Sequence, residues 1–429
     1  MAQRLDFVSL EIGGTRLDRW QQYDVDSDLL IPADAFSLSV DVPTEDADAI
    51  RDLVAPGAAA KLYVERVQPD GSRHRSLQMT GHIDSREMDV SRQGGLTLSV
   101  NGRDMAGVLT DANVNPGLIC DQHSDLLIDL LQAGVSPYGI EVIADDSSER
   151  SILTGERGSS TQATLERREA RTAGVSPASY SRGRLDASRA QGVPMDELLG
   201  ASSDTGARFA SGQSPSDVRR VRVSEARPNP GETIWDFFTR HARRFGLMLW
   251  TTADGKLVLG APDWRQAPTY RLVRRVRNNP SDPNNIISGG LKESALNSYS
   301  SITVMGRGSR ADGTRGRIRE EVLNPDWPAS APDRPRYLND PRIRDSDAAV
   351  RRGLRELMSG RAKQYAITYE VDGHGQGGRL WAQGTTARVI DDRLGIDGTF
   401  FVVGRRFRGS RQDGTTTQVR LIKLESFEI

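Results

Sequence analysis

The chain has 429 residues and a mass of 47.1 kDa, enough for roughly two to four domains with substantial cores. Its 57 basic and 58 acidic residues are interspersed, and the formal net charge of −1 excludes the basic excess typical of general nucleic-acid binders. A single cysteine, Cys120, excludes an internal disulfide. No apolar run approaches the ~18 residues of a membrane span, and Met1–Gly14 has no signal-peptide core. We therefore expect neither a membrane span nor export by a leader.

Residues 1–110 are predicted to form a small β-barrel. Apolar and polar residues alternate over three segments predicted as strands: Asp6–Gly13, Leu17–Asp24 and Ala35–Val42. We expect Trp20 and Phe36 to anchor the core of this barrel.

Three aspartates in this region match the start of a calcium loop. They are Asp24, Asp26 and Asp28. Leu29 stands where the sharp turn of such a loop needs glycine, and Ala35 stands where the bidentate glutamate belongs. We therefore predict no metal site here.

A smaller α+β domain is predicted from two separated segments, 111–145 and 231–265. Leucines at helical spacing predict a helix at Ser124–Gly134. Cys120 and His123 just before it make half of a zinc pattern, and the chain has no second cysteine to complete it.

The second segment of this domain holds the strongest helical pattern in the chain. Gly231–Gly246 places its aromatic residues and His241 on one face, and a hairpin of two strands, Leu247–Trp250 and Lys256–Leu259, follows. The start of this helix also resembles a LysM carbohydrate-binding repeat, but a hairpin stands where such a repeat needs a second helix. For His241 we favour a packed helix residue over a metal ligand.

Residues 146–230 are predicted to be a long irregular insert. Glycine, serine, alanine and arginine dominate this stretch, large apolar residues are sparse, and no strong periodicity is present. Such a composition does not supply the apolar surface that a packed core needs.

Residues 266–429 are predicted to form a second β-barrel with a helix at 347–365. Tyr270–Val276 and Ser300–Gly306 are predicted strands of this barrel, and Arg310–Asp345 is predicted to be an extended excursion. The C-terminal stretch is predicted as four short strands with turns at Asp397-Gly398 and Asp413-Gly414; the strands are Thr385–Ile390, Thr399–Val403, Arg405–Arg408 and Thr416–Leu424.

The two predicted barrels show a weak internal repeat. Gly57–Val64 matches Gly384–Ile390, and Met79–Ile83 matches Val402–Arg406. Such short matches also arise by chance between two sets of hairpins. The alternative, which we favour, is that the chain contains two similar β units.

No motif predicts catalysis, a cofactor or a metal, and no residue is assigned to such a site. Gly373–Gly378 fits the G-x-G-x-x-G pattern, but the sequence after it predicts strands rather than the helix that would hold a pyrophosphate. Asp391 and Asp392 are adjacent on a predicted strand, so their side chains point to opposite faces and do not flank one glycosidic bond. We therefore expect a non-enzyme.

Taken in order, four stretches resemble the Mu-like baseplate hub proteins of contractile-tailed phages, the late-control-protein superfamily. The stretches are Val8–Gly13 with the barrel ending at Asp104, the helix Asp125–Leu131 leading to Gly139–Val142, Pro230–Leu259, and Tyr369–Val371 with the final hairpin. The insert at 146–230 is longer than the pattern of this family implies.

The resemblance implies a structural hub in the tail baseplate of a virion, assembled in the cytoplasm of the bacterial host. In this account, a homotrimeric ring with pseudo-sixfold symmetry joins the sixfold tail tube protein to the threefold central spike protein and contacts other baseplate proteins. Three chains with two similar barrels each supply six units. DNA then passes through the central channel without sequence-specific binding, which suits a near-neutral charge.

Two other readings remain open. One is a tail-associated protein that binds or degrades peptidoglycan, which predicts binding to cell walls or their hydrolysis. The other is the equivalent hub of a phage-derived bacteriocin or secretion particle, which shares the fold with the virion protein.

Overall fold

A computed structural model describes most of the chain outside one long internal stretch. The described residues are 6–42, 47–67, 73–90, 96–117, 126–144, 228–242, 247–260, 262–277, 279–296, 298–309, 315–324, 327–328, 330–340, 343, 346–410 and 413–424. The predicted insert therefore lies outside the described residues except at its last three positions, and Cys120, His123 and Ser124 also lie outside them. Among the described residues, no helix is long and apolar enough to cross a membrane.

The N-terminal part is a set of antiparallel strands with alternating burial. The elements are β1 (Asp6–Ile12), β2 (Thr15–Leu17), β3 (Gln22–Asp28), β4 (Ala35–Val42), α1 (Ala47–Leu53), β5 (Ala59–Val67), β6 (Arg73–Val90) and β7 (Leu96–Asp104). In β7 every second side chain is buried, as a strand with one face on a core requires. Trp20 and Phe36 are both buried in this core, as predicted.

A smaller unit with its own core follows. Its elements are α2 (Ala106–Asp111), α3 (Leu127–Val135), a 3₁₀ turn (Ser136–Tyr138), β8 (Val142–Ala144), α4 (Ile234–Ala242), β9 (Met248–Thr251) and β10 (Leu257–Gly260). The two predicted helices and the predicted hairpin are present, and the helices begin at Leu127 and Ile234, later than predicted. Gly134 lets the ring of Phe238 approach α3, because a Cβ at this position would lie 2.6 Å from that ring.

The C-terminal part contains twelve strand or helix elements among the described residues. They are β11 (Tyr270–Arg274), β12 (Ile286–Glu293), β13 (Ser301–Ser309), β14 (Arg315–Leu323), β15 (Pro335–Asn339), α5 (Ser346–Gln364), β16 (Tyr365–Asp372), β17 (Gly375–Gln376), β18 (Arg379–Leu380), β19 (Thr385–Asp391), β20 (Ile396–Ser410) and β21 (Gly414–Lys423).

Two predictions for this part were wrong: that Ser300–Gly306 belongs to a second barrel, and that Arg310–Asp345 is an extended excursion. Ser300–Gly306 falls in β13, which pairs with β14 and β15 in a separate sheet that packs on α5 around Ile302 and Val304. The predicted excursion Arg310–Asp345 thus supplies two strands. Their alternation was hidden by the many arginines and prolines of this segment.

The predicted four C-terminal strands are three. The segments Thr399–Val403 and Arg405–Arg408 are one continuous strand, β20. The turn before β20 lies at 392–395 rather than at Asp397-Gly398, and Gly395 provides its positive φ of 65°. The hairpin at Asp413-Gly414 is as predicted, since Ser410 pairs with Gly414 across it.

The largest sheet has 13 strands and joins the two ends of the chain. Its order is β12-β16-β21-β20-β3-β4-β7-β6-β5-β1-β2, with β19 attached to β20 and β11 attached to β19. The prediction of two small barrels is not confirmed, because the described strands form one large and mainly antiparallel sheet in which no barrel closes. The class, mainly β with α+β portions, is as predicted.

Apart from the three-residue strand β2 at its edge, the large sheet nevertheless divides into two parts with the same strand order. The N-terminal half-sheet runs β1-β5-β6-β7-β4-β3, and the C-terminal half-sheet runs β11-β19-β20-β21-β16-β12. Numbered along the chain within each half-sheet, both orders are 1-4-5-6-3-2. One pairing differs in direction, because β1 is antiparallel to β5 whereas β11 is parallel to β19.

Two glycines mark equivalent points of the half-sheets. Gly57 and Gly384 have φ values of 86° and 78°, which L side chains rarely adopt. The N–H of Gly57 donates to the Ile83 carbonyl, and that of Gly384 donates to the Val402 carbonyl. The predicted repeat between Gly57–Val64 and Gly384–Ile390 is thus correct in register, whereas the match of Met79–Ile83 to Val402–Arg406 is displaced along the strand.

Candidate interface: the junction of the two half-sheets

The two half-sheets meet where β3 pairs with β20, and we call this pairing the junction. Gln22–Asp28 runs antiparallel to Gly404–Ser410, with Val25 opposite Phe407. Both of these side chains are fully buried. The junction therefore joins a strand near the start of the chain to one near its end in one continuous hydrogen-bonded sheet.

The face of the junction away from the core is a set of ion pairs. Arg406 Nε lies 2.6 Å from Asp24 Oδ1, and Arg420 Nε lies 2.9 Å from Asp28 Oδ2. Hydrogen bonding to Asp24 raises the pKa of the Arg406 guanidinium. The three aspartates of the calcium-like pattern thus belong to β3 and bind arginines of the C-terminal half-sheet.

The opposite face of the junction holds a buried polar cluster around His374. The Nε2 atom of His374 lies 2.7 Å from the Tyr23 hydroxyl, and its backbone N–H donates to Asp6 Oδ2 at 2.8 Å. Asp6 also accepts from Arg66 Nε at 2.8 Å, and the Thr417 hydroxyl lies 3.2 Å from His374 Nδ1. Burial lowers the pKa of His374 to about 4, so the ring is neutral at pH 7.

A cavity of about 410 Å³ lies beside the junction, where the half-sheets meet the β9–β10 hairpin. Arg405, Asp34 and Asp104 line it. Burial raises the pKa of Asp34 to about 6 and that of Asp104 to about 7, and burial lowers the pKa of Arg405 to about 10. Both carboxylates have structural bonds, since Asp34 Oδ1 accepts from the Asp28 N–H and Asp104 Oδ1 accepts from the Ala106 N–H.

The other residues weighed in the sequence are not brought together. Asp391 accepts hydrogen bonds from Arg274 and Tyr369; burial opposes ionisation, but these bonds hold the pKa of Asp391 below its ordinary value. Asp392 accepts a hydrogen bond from the backbone of Val276, and His241 is buried with its ring centroid 4.7 Å from that of Phe237. Within the described ranges, no cluster of three or more histidine, cysteine or acidic residues fits a metal ion.

Sequence reasoning missed the role of His374. It stands inside the glycine pattern Gly373–Gly378, which is followed by β18 rather than by a helix. A buried histidine between glycines carries no local signal for a partner that lies 351 positions away. The charge pattern of β3 and β20 is the one available signal, because Asp24, Asp26 and Asp28 alternate in the way that Arg406 and Arg408 do.

Two family models match the chain, one in each half-sheet. Residues 7–104 match the family described as Mu phage baseplate assembly protein GpP-like, N-terminal. Residues 359–423 match the NMB1110-like family, described as tail protein, C-terminal domain. The first match spans the N-terminal half-sheet, and the second spans the last strands of the C-terminal half-sheet.

Solved structures with the same fold come from several bacteria. The tail protein from Neisseria meningitidis MC58 is similar with a TM-score of 0.68 and 23% identity, over 99% of this chain and 98% of that one. The 43 kDa tail protein of prophage MuSo2 from Shewanella oneidensis gives 0.65 and 18%, over 98% and 99%. Prophage tail protein gp18 from Listeria monocytogenes EGD-e gives 0.51 and 10%, over 97% and 94%. The comparison with curated proteins found no match.

Proposed function

Since this chain is a Mu-like phage tail baseplate protein, we propose that it is the hub of the baseplate. Three copies form a ring with pseudo-sixfold symmetry, which joins the sixfold tail tube to the threefold central spike. The protein is assembled into the tail in the cytoplasm of the bacterial host. It acts by holding these parts together rather than by catalysis.

The observation that carries this proposal is the shared strand order of the two half-sheets. Three identical chains form closed threefold rings, and two similar units in each chain supply six similar units around the ring. One surface of such a ring matches a sixfold tube, while the parts outside the half-sheets repeat only three times. In the C-terminal half of the chain, these parts include α5 with the sheet β13–β15.

A central opening in this ring is the proposed passage for DNA. A strongly basic lumen would hold the phosphates and slow their passage. The chain as a whole carries a formal net charge of −1, which supports a channel that does not retain DNA. The tube protein, the spike protein and other baseplate proteins are the proposed partners.

A cell-wall hydrolase is the second candidate, and the cavity beside the junction is the observation that favours it. Buried carboxylates with raised pKa values are common in active sites. Asp34 and Asp104 have this property, but each also accepts a hydrogen bond from a backbone N–H that fixes a turn or helix start. We therefore propose a structural role for both, and hydrolysis of purified sacculi that is lost in Asp104→Asn would contradict it.

Light scattering coupled to gel filtration tests the hub proposal. The expected result is a particle with three times the mass of the 47.1 kDa chain, stable at high salt, without cell-wall hydrolysis. A monomer at every concentration that sediments with sacculi would contradict the proposal. A hub in a phage-derived bacteriocin or secretion particle gives the same trimer, and electron microscopy of the source particle distinguishes it from a virion.

A further inference from the structure

We propose that neighbouring copies in the ring join through two described segments that pair with another strand on one side only, residues 85–90 of β6 and strand β12. The strand β12 of one copy adds antiparallel to β6 of the next copy. This inference rests on the proposed ring, and it names the surfaces that close it. The contact is inferred by analogy with the junction inside one chain, where β3 pairs with β20.

The strands of the junction have equivalents with open edges. The strand order makes β6 the equivalent of β20 and β12 the equivalent of β3. Within the described ranges, β6 pairs with β7 alone beyond residue 84, and β12 pairs with β16 alone. β20, in contrast, has β21 on one side and β3 on the other over Gly404–Ser410. Edges of this kind are templates for pairing with another chain.

The exposure of these strands fits a missing neighbour. Phe407 and Val25 of the junction are fully buried, whereas their equivalents Met88 and Leu291 are half-buried. Val90 at the end of β6 is 80% exposed, and Ile287 at the start of β12 is 58% exposed. Large apolar side chains therefore stand on both open edges.

The register of the new contact follows from two β-bulges. The bulge between Val402 and Gly404 in β20 corresponds to that between Ile83 and Ser85 in β6, which makes Ser85 the equivalent of Gly404.

The residue of β12 that corresponds to a given residue of β3 is found by following the paired residues from strand to strand across each half-sheet. In the C-terminal half-sheet the partners run from Gly404 through Arg420 and Thr368 to Gly290. In the N-terminal half-sheet they run from Ser85 through Asn101 and Ser37 to Asp24. Gly290 is therefore the equivalent of Asp24.

This register places complementary side chains opposite one another. Arg406 faces Asp26 in the junction, so Glu87 of one copy faces Lys292 of the next. By the same rule, Arg86 faces Glu293 and Met88 faces Leu291. Opposite charges and apolar pairs at directly opposed positions stabilise antiparallel sheets.

On the outer face, the charges at the new contact are arranged in the reverse sense to those of the junction, whereas the Arg86–Glu293 pair on the other face has the junction's sense. The junction has acidic residues on β3 and basic residues on β20. The open edges have Lys292 on β12, and Glu87 and Asp89 on β6. If β3 of the next copy paired with β6, Asp26 would lie opposite Glu87, and two negative charges would meet. With β12 in that place Lys292 lies opposite Glu87, so the charges favour β12 as the strand that pairs with β6. The contact joins two different surfaces, and such head-to-tail contacts build a ring when the rotation from copy to copy closes.

Cysteine cross-linking of the full-length chain tests this contact. In a Cys120→Ser background, Glu87→Cys and Lys292→Cys place two thiols directly opposite, with Cβ atoms about 4.5–5.5 Å apart. Mild oxidation is expected to give covalent dimers and trimers on non-reducing gels. The matched control is Glu87→Cys with Gly290→Cys. Position 290 lies on the same face of β12 as position 292 but two residues along the strand, so its thiol is not opposite that of residue 87. A Cβ at position 290 meets no neighbour, so the substitution itself is tolerated. The control is expected to remain mostly uncross-linked.

Charge exchange provides an independent measurement. Lys292→Glu opposes Glu87 and is expected to raise several-fold the concentration at which trimers form, and Glu87→Lys with Lys292→Glu is expected to restore it. A trimer in solution without cross-linking of the Glu87–Lys292 pair, or with equal cross-linking of the control, would overturn the contact and leave the ring intact. A monomer at all concentrations would overturn the hub proposal itself.

Discussion

The N-terminal and C-terminal half-sheets share their strand order but differ in what connects the strands. Between the second and third strands of the N-terminal half-sheet, the chain needs only the short segment from Leu29 to Asp34. The same connection in the C-terminal half-sheet contains β13, β14, β15 and α5. Between the third and fourth strands, the first uses α1 and the second uses β17 and β18 with His374. The two half-sheets thus share their strand pairing, and they differ in the segments that connect the strands.

Truncation of equivalent side chains is expected to affect the two half-sheets very differently. Phe407→Ala is expected to lower the free energy of unfolding by about 3–5 kcal/mol, because the ring is fully buried at the junction. Met88→Ala, the matched change in the N-terminal half-sheet, is expected to lower it much less in the monomer, since Met88 is half-buried. Urea denaturation at low protein concentration measures both values. Equal losses for the two variants would contradict the proposal that Phe407 lies at a paired edge and Met88 at an open one.

The buried histidine gives the stability of the junction a pH dependence. His374 has a depressed pKa of about 4 in the folded state, against 6.5 ordinarily. A proton therefore favours the unfolded chain, and this stabilising contribution is complete above about pH 6.5 and is lost as the pH falls towards 4, by about 1.4 kcal/mol for each pKa unit.

Thermal unfolding between pH 7 and pH 4 measures this effect. We expect the melting temperature of His374→Gln to fall less steeply over this range than that of the wild type. His82→Gln, on β6 outside the cluster, is the control for exchanging a histidine as such. Parallel curves for the wild type and His374→Gln would contradict a buried neutral histidine.

The two left-handed glycines sharpen the comparison, because they are expected to respond alike. Gly57→Ala and Gly384→Ala should each lower the free energy of unfolding by about 1–2 kcal/mol, since a side chain is strained at these φ values. Gly290→Ala is the control, as a Cβ there meets no neighbour. Denaturant titration checks all three, and a cost confined to one of the first two would argue against equivalent turns.

The smallest expected effect concerns the ion pairs at the outer face of the junction. Arg406 and Asp24 are partly exposed, so solvent screens their attraction. A double-mutant cycle of Asp24→Asn and Arg406→Gln is expected to give a coupling of about 0.2–1 kcal/mol that decreases with salt. A larger coupling that salt leaves unchanged would show that this face is more enclosed than the structure indicates.

The sequence predicted local elements better than it predicted their assembly. The helices α3, α4 and α5 and the hairpin at Asp413-Gly414 were identified because their signals lie within a few residues. The strand β20 was divided in two because Gly404 looked like a break, whereas in the structure it follows a bulge and leaves room for the Arg420–Asp28 ion pair. A Cβ at Gly404 would lie 2.6 Å from Arg420 and 2.7 Å from Asp28.

The candidate interface depended on pairings that local patterns do not encode. The repeat around Gly57 and Gly384 was visible because both turns need positive φ. The pairing of β3 with β20 brings together residues such as Asp24 and Arg406, which are 382 positions apart, and no hairpin or helix period reports such a contact. Alternating aspartates on β3 invited a comparison with calcium loops, because the arginines that bind them lie at the other end of the chain.

A map of the purified chain by electron cryomicroscopy tests the ring most directly. The account predicts three copies around a central opening, with six half-sheets related by rotations of about 60° and β12 of each copy beside β6 of the next. Half-sheets at different distances from the axis, or threefold contacts that leave both of these strands exposed, would contradict it.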